Sequence, residues 1–133
     1  MTDKDDERSA LRALALGNEW HKRIVADFPE QFPRGEFGFE TLGGWRHMLR
    51  EMCRRVSLLT PEQREGHGWT QIKEKFGTLR AYHTGGPAVD EVVDWAEEVS
   101  EVTCDVCGAP GRLRNTKGWY ATRCDEHDGW RGW

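Results

Sequence analysis

Residues 104–127 read CDVCGAPGRLRNTKGWYATRCDEH, and this stretch specifies the fold of the last part of the chain. It contains two pairs of metal-ligand residues, Cys104 with Cys107 and Cys124 with His127, separated by sixteen residues. The two-residue gap within each pair lets both side chains converge from one tight turn, a spacing typical of zinc sites. Four protein ligands fill a tetrahedron and leave no position for water, so we predict a structural Zn²⁺ ion.

The residues between the two pairs fit a β-hairpin, in which 112–114 pair with 119–122 across a turn at 115–118. Gly108 suits a knuckle whose backbone amides approach a thiolate. So short a module has almost no core, and a metal would supply much of its folding free energy. Two alternatives stay open, namely four side chains without metal and a redox pair of Cys104 and Cys107.

Upstream of this module, the periodicity predicts helices packed with a second β-hairpin. Apolar side chains recur at helical spacing over 44–59 and again over 88–102. Residues 69–83 alternate as two strands joined near Gly77, and Thr60 to Gln63 has the form of a short helix start. We predict an α+β fold in a single domain over 1–133: a body over 1–103, with a zinc-ribbon-like or treble-clef-like module over 104–133 packed on it.

The composition favours a cytoplasmic protein. The chain has 133 residues, of which 32% are charged. Its apolar runs are far shorter than the roughly 20 residues that span a bilayer. The charged start of the chain does not have the pattern of a secretory signal. Cysteines in the cytosol are metal ligands or free thiols more often than disulfides, and Cys53 is expected to be a buried core thiol.

The charges are distributed unevenly. Residues 43–83 carry 8 basic and 4 acidic side chains, net +4, whereas residues 84–103 carry 6 acidic side chains and no basic one, net −6. Two interpretations stay open. The segments attract each other within the fold, or each forms half of an electrostatic surface for a partner.

Three blocks together resemble a known family. They are Gly38-Phe39-Glu40 with Gly44-Trp45, the run from Ile72 to Arg80, and the block from Cys104 to His127. This is similar to a family of small zinc-ribbon-like proteins encoded by bacteria and their phages. The resemblance covers roughly residues 25–130 and implies the fold and the zinc ion. It implies no activity.

The first functional hypothesis is an adaptor or inhibitor that docks on a larger protein, with a phage-type accessory role that modulates a host or defence protein. Aromatic side chains near the zinc site are candidate anchors, and the alternative is that they cover the core of the module. An acidic helix face could contact an Arg-rich partner, or it is simply solvated. The residues in question are Trp119, Trp130 and Trp133, with Asp94, Glu97, Glu98 and Glu101.

The second hypothesis is a nucleic-acid-binding regulator with a basic surface, although a pI of about 5.7 disfavours it. Catalysis is the third, because His67, His83 and Glu74 could combine for acid–base chemistry. Their spacing matches no known mechanism, and we expect no enzyme. The basic surface would comprise Arg46, Arg50, Arg54, Arg55, Lys73, Lys75 and Arg80, extended by Arg112, Arg114, Lys117 and Arg123.

Overall fold

The computed structural model describes residues 3–132, and over this range it contains four α-helices and two antiparallel β-hairpins. The α+β prediction is confirmed, as are the two predicted hairpins. The helices are α1 (Asp3–Leu16), α2 (Glu19–Asp27), α3 (Arg46–Ser57) and α4 (Pro87–Ser100). The first hairpin joins β1 (Trp69–Lys75) to β2 (Thr78–His83), and the second joins β3 (Arg112–Thr116) to β4 (Trp119–Arg123). Short 3-10 helices occupy Pro29–Gln31, Gly43–Trp45 and Asp125–His127.

The main core lies between α2, α3, α4 and the inner face of the first hairpin. The apolar stripe of α3 enters it because residues three and four apart share one helix face. Trp45, just before α3, is completely buried, and its indole N–H donates a hydrogen bond to the carbonyl of Thr103 at 2.9 Å. Other fully buried side chains are Leu49, Met52, Val56, Ile72, Val89 and Ala96.

The segment that follows α4 is joined to the body mainly through backbone atoms. The Gly44 N–H donates to the Asp105 carbonyl at 2.9 Å. A Cβ atom at Gly44 would lie 2.4 Å from the carbonyl carbon of Asp105, so only glycine allows this approach. The hydroxyl of Thr122 donates to the Gly77 carbonyl at 2.7 Å, tying β4 to the turn of the first hairpin.

A short extended segment before α3 continues the first hairpin. Glu40 forms a parallel bridge with Lys73, in which the Glu40 N–H donates to the Ile72 carbonyl at 2.9 Å and the Glu40 carbonyl accepts from the Glu74 N–H at 3.0 Å. The backbone at Glu40 is therefore fixed against β1. Among residues 3–132, no helix has the length and apolar character needed to cross a membrane.

The helix predicted to start at Thr60 is replaced by turns. Its capping box does form, since the Gln63 side chain accepts from the Thr60 N–H at 3.0 Å and the Thr60 hydroxyl accepts from the Gln63 N–H at 3.2 Å. The chain then reaches Gly66 at φ +70, a left-handed conformation that stops helix propagation. The predicted capping box is therefore present, but the residues between it and Gly66 are too few to form a helix.

His67 lies in an unusual environment at the edge of the main core. Its ring packs edge-on against Trp69, with centroids 4.6 Å apart, and its centroid is 5.6 Å from that of His83. Neither ring nitrogen of His67 has a hydrogen-bond partner among the described residues. Burial, with a smaller contribution from His83, lowers the pKa of His67 to about 4.

This environment gives a pH prediction. The unfolded chain protonates His67 near pH 6.5, whereas the folded chain resists protonation until pH falls to about 4. The free energy of unfolding should therefore fall as pH decreases through this interval. His67→Phe keeps a flat ring but has no group that can be protonated. The free energy of unfolding of this variant should therefore fall less over the same pH interval. Urea unfolding of both proteins at about pH 7, 6 and 5 measures the difference, and identical pH dependence would contradict the prediction.

Candidate metal centre

The two predicted ligand pairs meet at one point. One ligand atom from each of Cys104, Cys107, Cys124 and His127 lies within 4.8 Å of all the others. The Cys107 and Cys124 sulfurs are 3.7 Å apart, and Nδ1 of His127 lies 3.8 Å from the Cys104 sulfur and 3.2 Å from the Cys124 sulfur. A tetrahedral ion bonded to sulfur at about 2.3 Å sets its sulfurs about 3.8 Å apart. The cluster could therefore hold a metal ion.

The backbone builds the first ligand pair as a knuckle. The Gly108 N–H donates to the Cys104 carbonyl at 2.9 Å, and the Ala109 N–H donates to the Cys107 sulfur at 3.5 Å. Gly108 has φ +84, which glycine adopts without the penalty that a side chain would bring. Amide hydrogen bonds to sulfur favour the thiolate, which is the form that binds metal.

Burial disfavours the charged forms of two ligands of this cluster. Burial raises the pKa of Cys107 to about 12, with the neighbouring Cys104 adding to the effect. Burial lowers the pKa of His127, which favours the neutral imidazole that ligates metals. A divalent cation offsets the cost of deprotonating the buried thiols, because it bonds to the thiolates directly. Three sulfurs and one nitrogen form a soft donor set with every tetrahedral position filled by protein.

A buried ion pair connects the two ligand turns. Asp105 lies between the first two cysteines and Arg123 directly precedes Cys124, and their side chains meet at 2.9 Å with each only 7% exposed. Arg123 also donates to the Trp130 carbonyl at 2.5 Å. Burial raises the pKa of Asp105, and the Arg123 guanidinium opposes this rise. Arg123 was predicted in a phosphate-contacting surface, and its burial contradicts that placement.

Arg114 holds the second ligand pair from the other side. Its guanidinium contacts Asp125 at 2.6 Å and Asp128 at 3.4 Å, on either side of His127, and donates to the Arg123 carbonyl at 2.9 Å. The same contact to Asp125 lowers the pKa of that carboxyl. Arg114 therefore orients the turn that carries His127. Residue spacing contains no signal for the role of either arginine, because each partner comes from a different turn of the module.

The three tryptophans predicted as partner anchors have different outcomes. Trp119 is 63% exposed, as an anchor requires. Trp130 is only 9% exposed and clusters with Ala15, Cys104 and Val106, so it covers the module core, the alternative that was left open. The anchor prediction is wrong for Trp130 for this reason. Trp133 lies outside the described residues.

The predicted charged faces are located on α3 and α4. Arg50 pairs with Asp27 at 2.6 Å and Arg54 pairs with Glu51 at 2.6 Å, while Arg46 donates to the Gly43 carbonyl at 2.9 Å. The α3 arginines are thus engaged within the chain. On α4, Glu97 pairs with Arg80 at 3.2 Å, which joins the basic and acidic segments. The other predicted acidic residues, Asp94, Glu98 and Glu101, are exposed.

The remaining candidate groups lie away from the metal cluster. His83 contacts Asp90 at 2.7 Å and lies beside His67 at the open end of the first hairpin. Glu74 is at the opposite end of that hairpin, where it accepts from the Gly77 N–H at 2.6 Å, so the structure does not bring the three acid–base candidates together. Cys53 is fully buried, as predicted, and burial raises its pKa to about 12.

Comparison of the chain with protein-family models, with curated proteins and with solved structures found no match in any of the three.

Proposed function

We propose that this chain is a small zinc-stabilised adaptor or inhibitor that acts by docking on a larger protein. Zinc is supported by the donor set, since three thiolates and an imidazole in a closed tetrahedron are typical of structural zinc sites. The docking function is supported chiefly by one surface. Large apolar side chains remain exposed where the two hairpins meet, and we call this surface the hairpin patch. It comprises Phe76, Leu113 and Tyr120, whereas Trp119, adjacent to Tyr120 in β4, lies on the opposite face of that strand.

The hairpin patch is assembled by contacts between the body and the metal module. Phe76 and Tyr120 meet edge to face, with ring centroids 6.4 Å apart. Phe76 is 65% exposed, and Leu113 lies against the backbone of the same turn. Exposed aromatic side chains of this size are enriched in the centres of protein interfaces, where they fill pockets of the partner.

Phe76 is the most informative residue of this surface. It has φ +54 and is followed by Gly77 at φ +85, the two positive values of a type I′ hairpin turn. Asn, Asp and Gly are favoured at that position, and a bulky side chain there is strained. The second hairpin repeats the geometry at Lys117, φ +54, and Gly118, φ +83. A mostly exposed ring on a strained backbone contributes little packing to the fold beyond its edge contact with Tyr120, which favours a role in binding.

The Phe76→Asn substitution is expected to affect folding and binding in opposite directions. Asn tolerates φ > 0, so we expect the free energy of unfolding to rise by up to about 1 kcal/mol through relief of strain. The same change removes the exposed ring, so capture of a stoichiometric protein partner from a nuclease-treated lysate should be lost. Urea unfolding and affinity capture followed by mass spectrometry measure the two effects.

Lys117→Asn is the matched control, because it relieves the same backbone conformation in the second hairpin without removing a ring. Its stability should rise by a comparable amount while partner capture is retained. Equal capture by wild type and Phe76→Asn would contradict the role of the hairpin patch. Recovery of nucleic acid, with every captured protein lost after nuclease, would instead favour the nucleic-acid-binding regulator.

A further inference from the structure

The second hairpin is a two-stranded sheet, so each of its strands has one free edge. In an antiparallel pair, hydrogen-bonded residue pairs alternate with pairs whose backbone groups point away from each other. The Thr122 carbonyl accepts from the Asp105 N–H at 3.0 Å, so the pair of Thr122 with Leu113 is of the second kind. The ladder bonds therefore belong to the even-numbered residues of β3, whereas the backbone groups of Leu113 and Asn115 project from its free edge.

The free edge of β3 is unpaired over most of its length. The N–H and C=O groups of Leu113 and Asn115 have no hydrogen-bond partner among the described residues. Just before the strand, the edge is paired, since the Gly111 N–H donates to the Val102 carbonyl at 2.9 Å. Beyond that bond, Arg112, Leu113 and Asn115 are exposed. An accessible edge with unpaired backbone groups is a template for an added strand.

The free edge of β4 is less accessible. The bond from Asp105 already occupies the Thr122 carbonyl, and Tyr120 is the remaining residue of β4 whose backbone projects from this edge. Beside Tyr120 lies a cleft of about 310 Å³, which residues 39–42 of the body close from the other side. The edge of β3 is therefore the one that a partner can reach, and the Tyr120 amide is an internal comparison for it.

The two faces of β3 offer different neighbours to an added strand. Because side chains alternate along a strand, Leu113 lies on the face of the hairpin patch and Arg112 lies on the other face. On the patch face, the rings of Phe76 and Tyr120 extend the apolar surface beyond Leu113. On the other face, Arg112 is exposed and forms no ion pair among the described residues. Its charge is available to an acidic group.

We infer that the partner protein docks on β3 as an added β-strand, an inference that rests on the proposed docking function. The added strand carries an apolar residue beside Leu113, where it continues the hairpin patch. It carries an acidic residue beside Arg112, because opposite charges on neighbouring strands attract each other. In this mode of recognition, main-chain hydrogen bonds supply affinity and the alternate side chains supply specificity. A nucleic acid lacks the regularly alternating N–H and C=O groups that complete a ladder.

The test is selection from a random peptide display library with the full-length, zinc-loaded protein, followed by amide exchange measured by NMR. In the free protein, the amides of Leu113 and Asn115 should exchange quickly, because neither has an acceptor. A selected peptide should slow both by at least about tenfold, the effect expected of one new hydrogen bond. The Tyr120 amide, on the other free edge, should exchange as it does in the free protein.

Modified peptides and one arginine variant test the same inference from both sides. N-methylation of successive peptide amides should weaken binding at every second position, because only alternate amides of an added strand face β3. Arg112→Gln should weaken binding at least about threefold, and so should replacing the acidic residue of the peptide with its amide.

Arg131→Gln is the matched control, since Arg131 is also exposed and the change in net charge is the same. Its affinity for the selected peptides should stay near that of wild type. Four outcomes would each overturn the inference: no enriched peptide, unchanged exchange at Leu113 and Asn115 in the complex, slowed exchange at Tyr120 instead, or equal loss in the two arginine variants. If partner capture still depends on Phe76 in any of these cases, the docking proposal stands and only the added strand fails.

Discussion

Chelation of the metal is expected to unfold the module while the body keeps its core. The hairpin of β3 and β4 has few buried side chains of its own, so the free energy of metal binding is its folding free energy, about 10–16 kcal/mol for comparable structural sites. Amide hydrogens of residues 104–132 should therefore lose their protection from exchange after chelation, whereas those of α3 and α4 should keep most of theirs. Hydrogen exchange with mass spectrometry resolves the two regions.

Cysteine variants give the same prediction a second readout. Cys124→Ser should abolish binding of one zinc ion per chain, measured by elemental analysis of protein purified without chelator. Cys53→Ala is the matched control, because Cys53 is fully buried in the body core and away from the ligand cluster. Retained metal in Cys124→Ser, or an equal loss in Cys53→Ala, would contradict the assignment of the site. So would unchanged exchange protection after chelation.

Arg123→Met is expected to lower the free energy of unfolding by about 3–5 kcal/mol. The substitution leaves the Asp105 carboxylate buried beside the metal-ligand turn without its guanidinium partner. Asp105→Asn combined with Arg123→Met should recover part of the loss, because no uncompensated buried charge remains. Urea unfolding, with metal content measured on the same samples, gives the values and shows whether the module still holds its ion.

A surface ion pair of similar length provides the comparison. Arg54 and Glu51 meet at 2.6 Å, yet both side chains are substantially exposed. Arg54→Met should therefore lower the free energy of unfolding far less than Arg123→Met. If the two arginine substitutions lower the free energy of unfolding by similar amounts, burial does not determine how much the Asp105–Arg123 pair contributes to stability.

The elements that the sequence predicted correctly are those specified by neighbouring residues. The two ligand pairs each lie within one turn, and the helix over Arg46–Ser57 follows from an apolar repeat along one face. Both hairpins have alternating strands around a Gly-containing turn. In each case the sequence pattern and the structural element span the same few residues, so interactions between neighbouring residues were sufficient to predict the element.

The features that were missed depend on contacts between distant residues. A charged residue is normally solvated, so neither Asp105 nor Arg123 signals its burial, which arises only when two turns 18 residues apart meet. Trp130 fits an exposed anchor as well as a core side chain until α1 is seen to supply Ala15 beside it. The attachment of the segment before α3 to β1 likewise requires a bridge between residues 40 and 73.

The close approach at Gly44 affects how freely this protein could change its sequence. Where main chain meets main chain, recognition does not depend on which side chains are present nearby. Surface residues on either side of the contact could therefore be exchanged without separating the module from the body. Position 44 has no such freedom, because a single methyl group there would lie within 2.5 Å of the Cys104 carbonyl oxygen. At this contact, position 44 therefore tolerates no side chain, whereas the side-chain bonds of Thr122 and Trp45 across the junction depend on those residues themselves.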